Sequence, residues 1–315
     1  MKKLLLLTVI SALLIIFIPP VTYGAVADKP PVEENTDGET IRVFLASENT
    51  AVTMDFREYI TGVVAAEMPV EFHEEALSAA ACAAATLARL RMQEGGDAAL
   101  QGAVISTDPK KHQAFITKEE MEKRWNGDTD AYYEKLTRAV DKAIDYSITY
   151  EGKLITPVYH SMSTGLTESA ENVWSSAVPY LVSVESPGDP FSPGYEAKTT
   201  LSFDEFREKA EENGAVLGED ITLWLGKCTY TEAGTLKSVT IGGKDFSGAE
   251  IRNIFSLRSG AVTFSITKDG VTMTTRGYGH GAGLSQYGAD YLAEEGYTWQ
   301  EILQHYYTGV EIELM

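Results

Sequence analysis

A glycine-rich run near the C-terminal end of the chain has the composition of a binding surface. From Gly277 to Gly283, glycines alternate with other residues around His280, and Ser285 and Gln286 follow. Many glycine-rich loops are only mobile connectors. Ordered glycine costs backbone entropy, however, so an ordered run is used where side chains would obstruct a close approach. Because polar side chains are interleaved with the glycines, we predict a floor on which a polymer approaches the backbone.

Glu67 is the carboxyl group with the clearest potential for chemistry. It lies in an apolar stretch directly before Met68 and Pro69, and the proline ends the preceding helix. Apolar surroundings disfavour the ionised form, so the pKa of Glu67 is expected to be raised. A carboxyl group that stays protonated at neutral pH can act as a general acid. The alternative is a helix-terminal glutamate in an ordinary salt bridge.

The elements that must position these residues mix helices and strands. Residues 262–276 alternate in polarity around Asp269-Gly270, which predicts a hairpin leading into the glycine-rich run. Ser285 is the predicted N-cap of a helix that begins at Gln286. The other predicted elements are strands at 41–46 and 236–241, helices at 56–68, 74–95, 130–146 and 203–213, a hairpin of 147–150 with 154–160, and a last helix capped by Thr298. Helices come early and mix with strands later, so the predicted fold class is α+β.

Composition and charge limit the class of partner. The 315 residues include 26 basic and 46 acidic side chains, which gives a formal net charge of −20. Nucleic-acid binding depends on Lys and Arg side chains that neutralise phosphates, so we expect no nucleic-acid partner. The chain has two cysteines, Cys82 in an alanine-rich helix and Cys228 near a strand. We assume no disulfide between them, because sequence alone does not show proximity.

The first residues predict the compartment. An apolar run from Leu4 to Ile18 follows two lysines, and residues 25–27 have the small–x–small pattern of a cleavage site. Residues 1–27 are therefore predicted to be a signal peptide or an uncleaved membrane anchor. Both alternatives place the rest of the chain outside the cytoplasm. Residues 28–39 are rich in Pro, Glu and Asp and are predicted to be a disordered spacer.

Three motifs occur in an order that resembles a known family. They are VVAAEMP at 63–69, YHSMSTG at 159–165 followed by TESAENVW at 167–174, and the glycine-rich run extended to residue 289. Together they resemble the stage II sporulation protein D family, whose relatives include an amidase-enhancer branch. The similarity covers roughly residues 40–312, and we predict a single domain of this kind over residues 40–315.

The resemblance implies a peptidoglycan lytic transglycosylase that acts on glycan strands already stripped of their stem peptides. It also implies work beside a membrane-bound cell-wall amidase during engulfment of the forespore. In lytic transglycosylation the 6-hydroxyl of N-acetylmuramic acid attacks its own anomeric carbon and leaves a 1,6-anhydro end. One carboxyl group then serves first as acid and afterwards as base, whereas hydrolysis uses two. The resemblance implies that this group is Glu67.

Candidate glycan contacts follow the predicted strand that ends at His160. The imidazole and hydroxyl groups there can hydrogen-bond sugar hydroxyls or orient Glu67, with a buried structural role as the alternative for His160. The rings of Trp174 and Tyr180 can stack on sugars, although core packing is the default for aromatic side chains. The predicted substrate contacts are His160, Ser161, Ser163, Thr167, Tyr180, His280, Ser285 and Gln286, with N-capping as the principal role of Ser285.

The chain departs from the family pattern at two positively charged positions. Members of the family usually have arginine where this chain has Ala85, and some have lysine where it has Val182. Arg89 lies one helical turn beyond position 85. Our hypothesis is that Arg89 brings a guanidinium to the same face of the helix.

A third departure concerns metal. Certain relatives carry a Cys-x4-His-Cys-Gln segment that can hold zinc, and the matching stretch here is STDPKKHQA at 106–114. His112 is the one strong ligand in this stretch, whereas closed zinc sites have about four N or S ligands. We therefore predict neither zinc nor any other cofactor.

Two other functions remain open at the level of sequence. A non-catalytic glycan-binding module that activates a cell-wall amidase would keep the glycine-rich floor and would not need Glu67. An ordinary glycoside hydrolase would need a second carboxylate, such as Asp108 or Glu168.

Overall fold

A computed structural model of the chain describes residues 38–125 and 128–315. The predicted leader, and the predicted spacer as far as residue 37, lie outside the described residues. Within the described part, helices and mostly antiparallel strands follow one another along the chain, so the predicted α+β class is confirmed. No helix in this part combines the length and the apolar character needed to cross a bilayer.

The elements have the following bounds. The helices are α1 (Phe56–Glu67), α2 (Glu74–Glu94), α3 (Lys118–Arg124), α4 (Thr129–Ala143), α5 (Ala170–Trp174), α6 (Phe203–Glu212), α7 (Gly248–Ile254), α8 (Gln286–Glu294) and α9 (Trp299–Tyr306). The strands are β1 (Thr40–Leu45), β2 (Thr50–Asp55), β3 (Ile105–Ser106), β4 (Tyr146–Tyr150), β5 (Lys153–Leu154), β6 (Tyr159–His160), β7 (Glu196–Leu201), β8 (Leu225–Tyr230), β9 (Leu236–Ile241), β10 (Lys244–Ser247), β11 (Ala261–Thr267), β12 (Gly270–Arg276), β13 (Leu284–Ser285) and β14 (Glu311–Leu314).

The strands form several small sheets. Strand β1 lies between β2 and β3, and β4 lies between β14 and β5. Strand β9 lies between β10 and β8, and β12 lies between β11 and β7. The remaining pair, β6 and β13, is parallel and joins two parts of the chain that are far apart in sequence. This pair is the element of the fold that positions the candidate site.

Two groups of buried apolar side chains stabilise the described residues. The larger group surrounds α2, and α1, α4, α8 and α9 pack against that helix. Its alanine-rich stretch at 79–85 is buried except for the half-buried Ala80, and such small side chains allow close helix packing. The smaller group lies within residues 196–276, which form β7 to β12 with α6 and α7. We call residues 196–276 the inserted subdomain, because it separates the motif at 159–174 from the glycine-rich run.

The predicted helix caps are confirmed. Ser202 and Thr298 form complete capping boxes with Glu205 and Glu301. The hydroxyl of Ser285 accepts the backbone N–H of Gly288 at 3.1 Å and so caps α8. Each cap satisfies a backbone donor that the first helical turn leaves without a partner.

Two predicted boundaries are wrong. The helix predicted for 130–146 ends at Ala143, and Tyr146 already belongs to β4. The hairpin arm predicted for 154–160 is limited to Lys153–Leu154. Proline at 157 has no N–H to donate to a ladder, and Tyr159–His160 pairs with β13 instead.

Candidate active site

The three sequence motifs meet at the parallel pair of β6 and β13. Tyr159 is opposite Leu284, and His160 is opposite Ser285. Glu67, at the end of α1, lies beside this pair and shares a cavity with Tyr159 and Leu284. The catalytic candidate is therefore adjacent to the glycine-rich run.

The glycines of the run make room for the chain's own backbone. A Cβ at Gly283 would lie 2.1 Å from the Val158 carbonyl oxygen, and one at Gly277 would lie 2.7 Å from the Met162 carbonyl oxygen. A Cβ at Gly279 would lie 2.7 Å from a side-chain atom of the same segment. All three glycines have positive φ, which side chains disfavour. Close packing against residues 158–163 thus accounts for these glycines, and the polymer floor stays a prediction.

One side of the β6–β13 pair faces Glu67. Tyr159 and Leu284 line a cavity of about 10 Å³, the space of about one water molecule, together with Glu67 and Gln286. Apolar side chains of α1 and α2 complete its wall. The carboxyl group is therefore held at the edge of the main core, in weakly polar surroundings.

Two contacts fix the Glu67 carboxyl group. The backbone N–H of Ala114 donates to Glu67 Oε1 at 3.2 Å, and the side chain of Gln286 also contacts the carboxylate. Burial raises the pKa of Glu67, and these two contacts oppose the rise without cancelling it. This direction agrees with the one predicted from the sequence. The ion pairs of the described residues do not include Glu67, so the salt-bridge alternative is not supported.

A buried hydrogen-bond chain lies next to Glu67 and was not predicted. The Tyr59 hydroxyl donates to Gln113 Oε1 at 3.2 Å, and Gln113 Nε2 donates to the Tyr159 hydroxyl at 3.5 Å. Burial and the negative charge of Glu67 raise the pKa of both tyrosines, so both stay neutral. Because Gln113 precedes Ala114, this chain of bonds holds the loop whose N–H binds Glu67.

The opposite side of the β6–β13 pair contains two neutral histidines. His160 Nδ1 donates to the Ala282 carbonyl at 3.0 Å, which places its proton on Nδ1. His280 Nδ1 accepts the Ala282 N–H at 3.1 Å, and the two ring centroids are 5.7 Å apart. Burial lowers the pKa to about 4 for His160 and to about 3 for His280. The half-exposed ring of Trp174 lies 5.2 Å from that of His280.

His160 therefore does not orient Glu67, and this part of the prediction is wrong. Successive side chains of a strand point to opposite sides, so Tyr159 faces Glu67 while His160 faces Ala282. The side chain that does contact the carboxylate is that of Gln286.

A buried carboxylate, Asp189, organises the histidine side of the site. Its Oδ2 accepts both the backbone N–H and the hydroxyl of Ser163, at 2.6 and 2.5 Å. Its Oδ1 accepts the Ser285 hydroxyl at 2.6 Å. Burial raises the pKa of Asp189, and these hydrogen bonds oppose the rise. The hydroxyls of Ser163 and Ser285 are thus engaged within the protein, which leaves their predicted contact with glycan without support.

The other predicted contacts have mixed environments. Thr167 is buried, and its hydroxyl accepts the Val184 N–H at 2.9 Å. The Tyr180 hydroxyl accepts the Thr156 N–H at 3.1 Å. Ser161 is half-buried, as is His280. Direct contact with substrate stays a prediction for all of them, and Thr167 and Tyr180 already have internal partners.

Comparison with known proteins places this site in a family. Residues 46–150 match the SpoIID family, described as "Stage II sporulation protein". The chain is 38% identical over 275 residues to stage II sporulation protein D of Bacillus amyloliquefaciens, a match that covers 87% of this chain and 78% of that protein. The chain belongs to the stage II sporulation protein D family. The protein of the same name in Bacillus subtilis (strain 168) is 37% identical with the same coverage.

A more distant relative of this stage II sporulation protein D family member is named an amidase enhancer. It comes from Bacillus subtilis (strain 168) and is 26% identical over 303 residues. The match covers 80% of this chain but 40% of the amidase enhancer. The similarity to that protein is therefore limited to part of its length.

The hypothesis that Arg89 replaces the missing family arginine is wrong. Its guanidinium donates to the carbonyls of Ile144 and Tyr146 at 2.8 and 3.1 Å, and it pairs with Glu39 at 3.0 Å. The residues of α2 that line the Glu67 cavity are alanines 80 and 84. Arg89 is thus bound elsewhere, and in the described residues no arginine or lysine lines that cavity.

The segment 106–114 contributes to the surroundings of Glu67. It contains Gln113 and Ala114, which position Glu67. Across the described ranges, no group of three or more His, Cys, Asp or Glu side chains has the arrangement of a metal site. In this chain the segment supports the carboxyl group of Glu67.

Proposed function

We propose that this protein is a peptidoglycan lytic transglycosylase that cleaves the bond between N-acetylmuramic acid and N-acetylglucosamine in peptide-stripped strands. The observation that carries the proposal is the environment of Glu67. One half-buried carboxyl group with a raised pKa lies at a cavity edge, fixed by the Ala114 N–H and by Gln286. The raised pKa favours the protonated form, which a general acid needs.

Glu67 performs both proton transfers in the proposed reaction. Its proton passes to the glycosidic oxygen as the bond from that oxygen to the muramic anomeric carbon breaks. The resulting carboxylate then takes the proton of the muramic 6-hydroxyl, whose oxygen bonds to the same carbon. The products are a 1,6-anhydro end and a free hydroxyl on the leaving sugar. Glu67 returns to its protonated state, and no water is consumed.

The surroundings of Glu67 favour this reaction over hydrolysis. A hydrolase needs a second carboxylate that activates water or forms a covalent intermediate. Asp108 accepts the N–H of Lys110 in its own turn, and Glu168 accepts the side-chain amide of Asn172. Neither lines the Glu67 cavity. One carboxyl group suffices for transglycosylation, which matches the site.

The proposal includes the place of action and the partner. Family membership and the predicted leader support action outside the cytoplasm, on the cell wall, during sporulation and engulfment. The relative named amidase enhancer supports a link to a cell-wall amidase, which would strip the stem peptides first. The same relative supports the second candidate, a glycan-binding activator of an amidase that does not use Glu67.

Product analysis on peptide-free glycan strands distinguishes these functions. Ends that contain 1,6-anhydro-muramic acid in the mass spectrum would support transglycosylation. Reducing ends would indicate hydrolysis, and intact strands retained in a pull-down would indicate the activator. We expect Glu67→Gln to lower the rate of anhydro-end formation by about 10²- to 10⁴-fold. Glu58→Gln, on the exposed first turn of the same helix, is the matched control.

A further inference from the structure

A second cavity lies where the inserted subdomain meets the segment after β6. Its volume is about 450 Å³, within the range of sites that hold small ligands. Thr164 and Leu166 form one wall, and Thr263, Thr274 and Arg276 of the hairpin β11–β12 form another. This cavity is separate from that of Glu67 and shares none of its lining residues.

The cavity adjoins a sheet face that carries hydroxyl groups. Thr263 is opposite Thr274, and Ser265 is opposite Thr272. The hydroxyls of Thr272 and Thr200 are 2.9 Å apart on the neighbouring strand pair. The alternate residues of β12 are buried in the smaller core. Threonine is common in strands, so the face alone specifies no ligand, but it gives the cavity many hydrogen-bonding groups.

Arg276 connects this cavity to the glycine-rich run. It is the last residue of β12, directly before Gly277, and it is exposed. It also lines a smaller cleft that extends to His280. Its Nε lies 3.5 Å from an oxygen of Glu196, and an exposed ion pair of this kind contributes little to stability. A guanidinium has five N–H donors, so this pair leaves donors for another carboxylate.

Other arginines approach the same run. Arg258 donates from Nε to the Gly277 carbonyl at 3.2 Å, and its guanidinium lies 5.0 Å from the centre of the Tyr278 ring. The positive charge of Arg252 contributes to the lowered pKa of His280. Three arginines therefore lie at this end of the inserted subdomain, where Glu196 and Glu232 also lie.

We propose that the cavity is a distal subsite in which Arg276 binds the free lactyl carboxylate of a muramic acid residue. The proposal rests on the proposed function, because removal of the stem peptide is what exposes this carboxylate. A stripped strand is then an anionic polymer. A strongly acidic protein repels such a polymer unless positively charged side chains bind it locally. Arginine binds carboxylates with paired, charge-assisted hydrogen bonds.

The rest of the lining suits an amino sugar. Glu232 is exposed at the cavity and can accept the N–H of an acetamido group. The hydroxyls of Thr263 and Thr274 can bond ring hydroxyls, and Leu166 offers apolar surface to a methyl group or a sugar face. The subsite thus distinguishes stripped strands from strands in which a peptide amide replaces the carboxylate.

Binding measured in the full-length protein with Glu67→Gln tests this subsite without interference from turnover. The probes are peptide-free strands and the same strands with their lactyl carboxylates converted to primary amides. We expect Arg276→Ala to weaken binding of the free-carboxylate strands about tenfold and to leave binding of the amidated strands unchanged. Lys268→Ala, at the exposed turn of the same hairpin, is the matched control of charge. Thr263→Phe, which fills the cavity, should weaken binding of both probes.

Two results would overturn the subsite. One is equal binding by Arg276→Ala and Lys268→Ala, and the other is an equal loss for free and amidated strands. Failure of the proposed function would look different, because the wild-type protein would then bind strands without forming anhydro ends. Circular dichroism and thermal melting of each variant show that the fold is intact. If Arg276→Ala is poorly folded, Thr263→Phe provides the decisive comparison, and unchanged binding by it refutes the subsite.

Discussion

The backbone N–H of Ala114 donates a hydrogen bond of 3.2 Å to Oε1 of Glu67. Ala114 lies in an irregular segment between β3 and α3, so a loop, and not the helix that carries Glu67, fixes the direction of the carboxyl group. A donor at Oε1 favours that oxygen as an acceptor when the group is protonated. Two elements therefore position the carboxyl group. Helix α1 carries the backbone of Glu67, and the loop at Ala114 binds Oε1.

The titration of Glu67 should be visible in the stability of the protein. Burial raises its pKa in the folded state, so the folded protein holds this proton more tightly than the unfolded chain. The stability that it contributes is present below the unfolded pKa of about 4.3 and is lost as the pH rises through the folded value. Glu67→Gln removes this titration. We expect the free energy of unfolding of the wild type to fall, relative to the variant, as the pH rises above the unfolded pKa of about 4.3.

Urea denaturation at a series of pH values measures this difference. The control is Glu58→Gln on the exposed first turn of α1, which should follow the wild-type curve closely. Parallel curves for the wild type and Glu67→Gln would contradict a raised pKa in the folded state.

Gln286 should tune the protonation of Glu67. Its side chain contacts the carboxylate and lowers the pKa that burial raises. We expect Gln286→Leu to raise the pKa of Glu67 further and to move the alkaline limb of the pH–rate profile to higher pH. The rate of anhydro-end formation across about pH 5 to 9 measures this shift. Gln304→Leu, on the exposed face of α9, is the control and should leave the alkaline limb in place. An alkaline limb at the same pH in both variants would refute the role of Gln286.

Features set by local sequence were predicted well. Pro69 ends α1 just after Glu67, and Ser202, Ser285 and Thr298 cap the helices that follow them. The turn at Gly270 joins β11 to β12 as expected. Caps, prolines and turn glycines act through neighbouring residues, so their effects are visible in a short stretch of sequence.

Features set by distant residues were not predicted. Asp189 lies between prolines and glycines and has the sequence context of an exposed loop, yet its burial depends on Ser163 and Ser285 together. The same applies to the parallel pairing of β6 with β13, which no periodicity in two-residue strands reveals. The role of Gln113 beside Glu67 depends on Tyr59 and Tyr159, which are far from it in sequence. Long-range pairing decided each of these cases.

Asp189 should stabilise the contact between the segment that follows β6 and strand β13. Its Oδ2 accepts two bonds from Ser163, and its Oδ1 accepts one from Ser285. Asparagine offers one acceptor oxygen, so at least one buried donor loses its partner. We expect Asp189→Asn to lower the free energy of unfolding by about 3 kcal/mol. Asp269→Asn, in the exposed turn of β11–β12, should change it little, and equal effects in a urea titration would contradict the structural role.

Gly283 tests whether the glycine-rich run serves close packing against the chain itself. Gly283 and Gly152 have nearly the same φ, +71° and +72°. A Cβ at Gly283 would lie 2.1 Å from the Val158 carbonyl oxygen, whereas one at Gly152 would have nothing within 4 Å. Alanine at either position carries the cost of a left-handed backbone, about 1–2 kcal/mol, and at Gly283 it must also displace backbone.

We therefore expect Gly152→Ala to cost about 1 kcal/mol and Gly283→Ala at least about 3 kcal/mol, measured by urea denaturation. In Gly283→Ala the pairing of Tyr159 with Leu284 should also weaken, because Leu284 follows Gly283 directly. Hydrogen exchange of the Leu284 N–H, which donates to the Val158 carbonyl at 3.1 Å, reports that change at the affected bond. Equal stability losses in the two variants, with unchanged exchange at Leu284, would show that the run tolerates side chains there. Close packing would then not explain the glycines, and the predicted floor for an approaching polymer would be the better explanation.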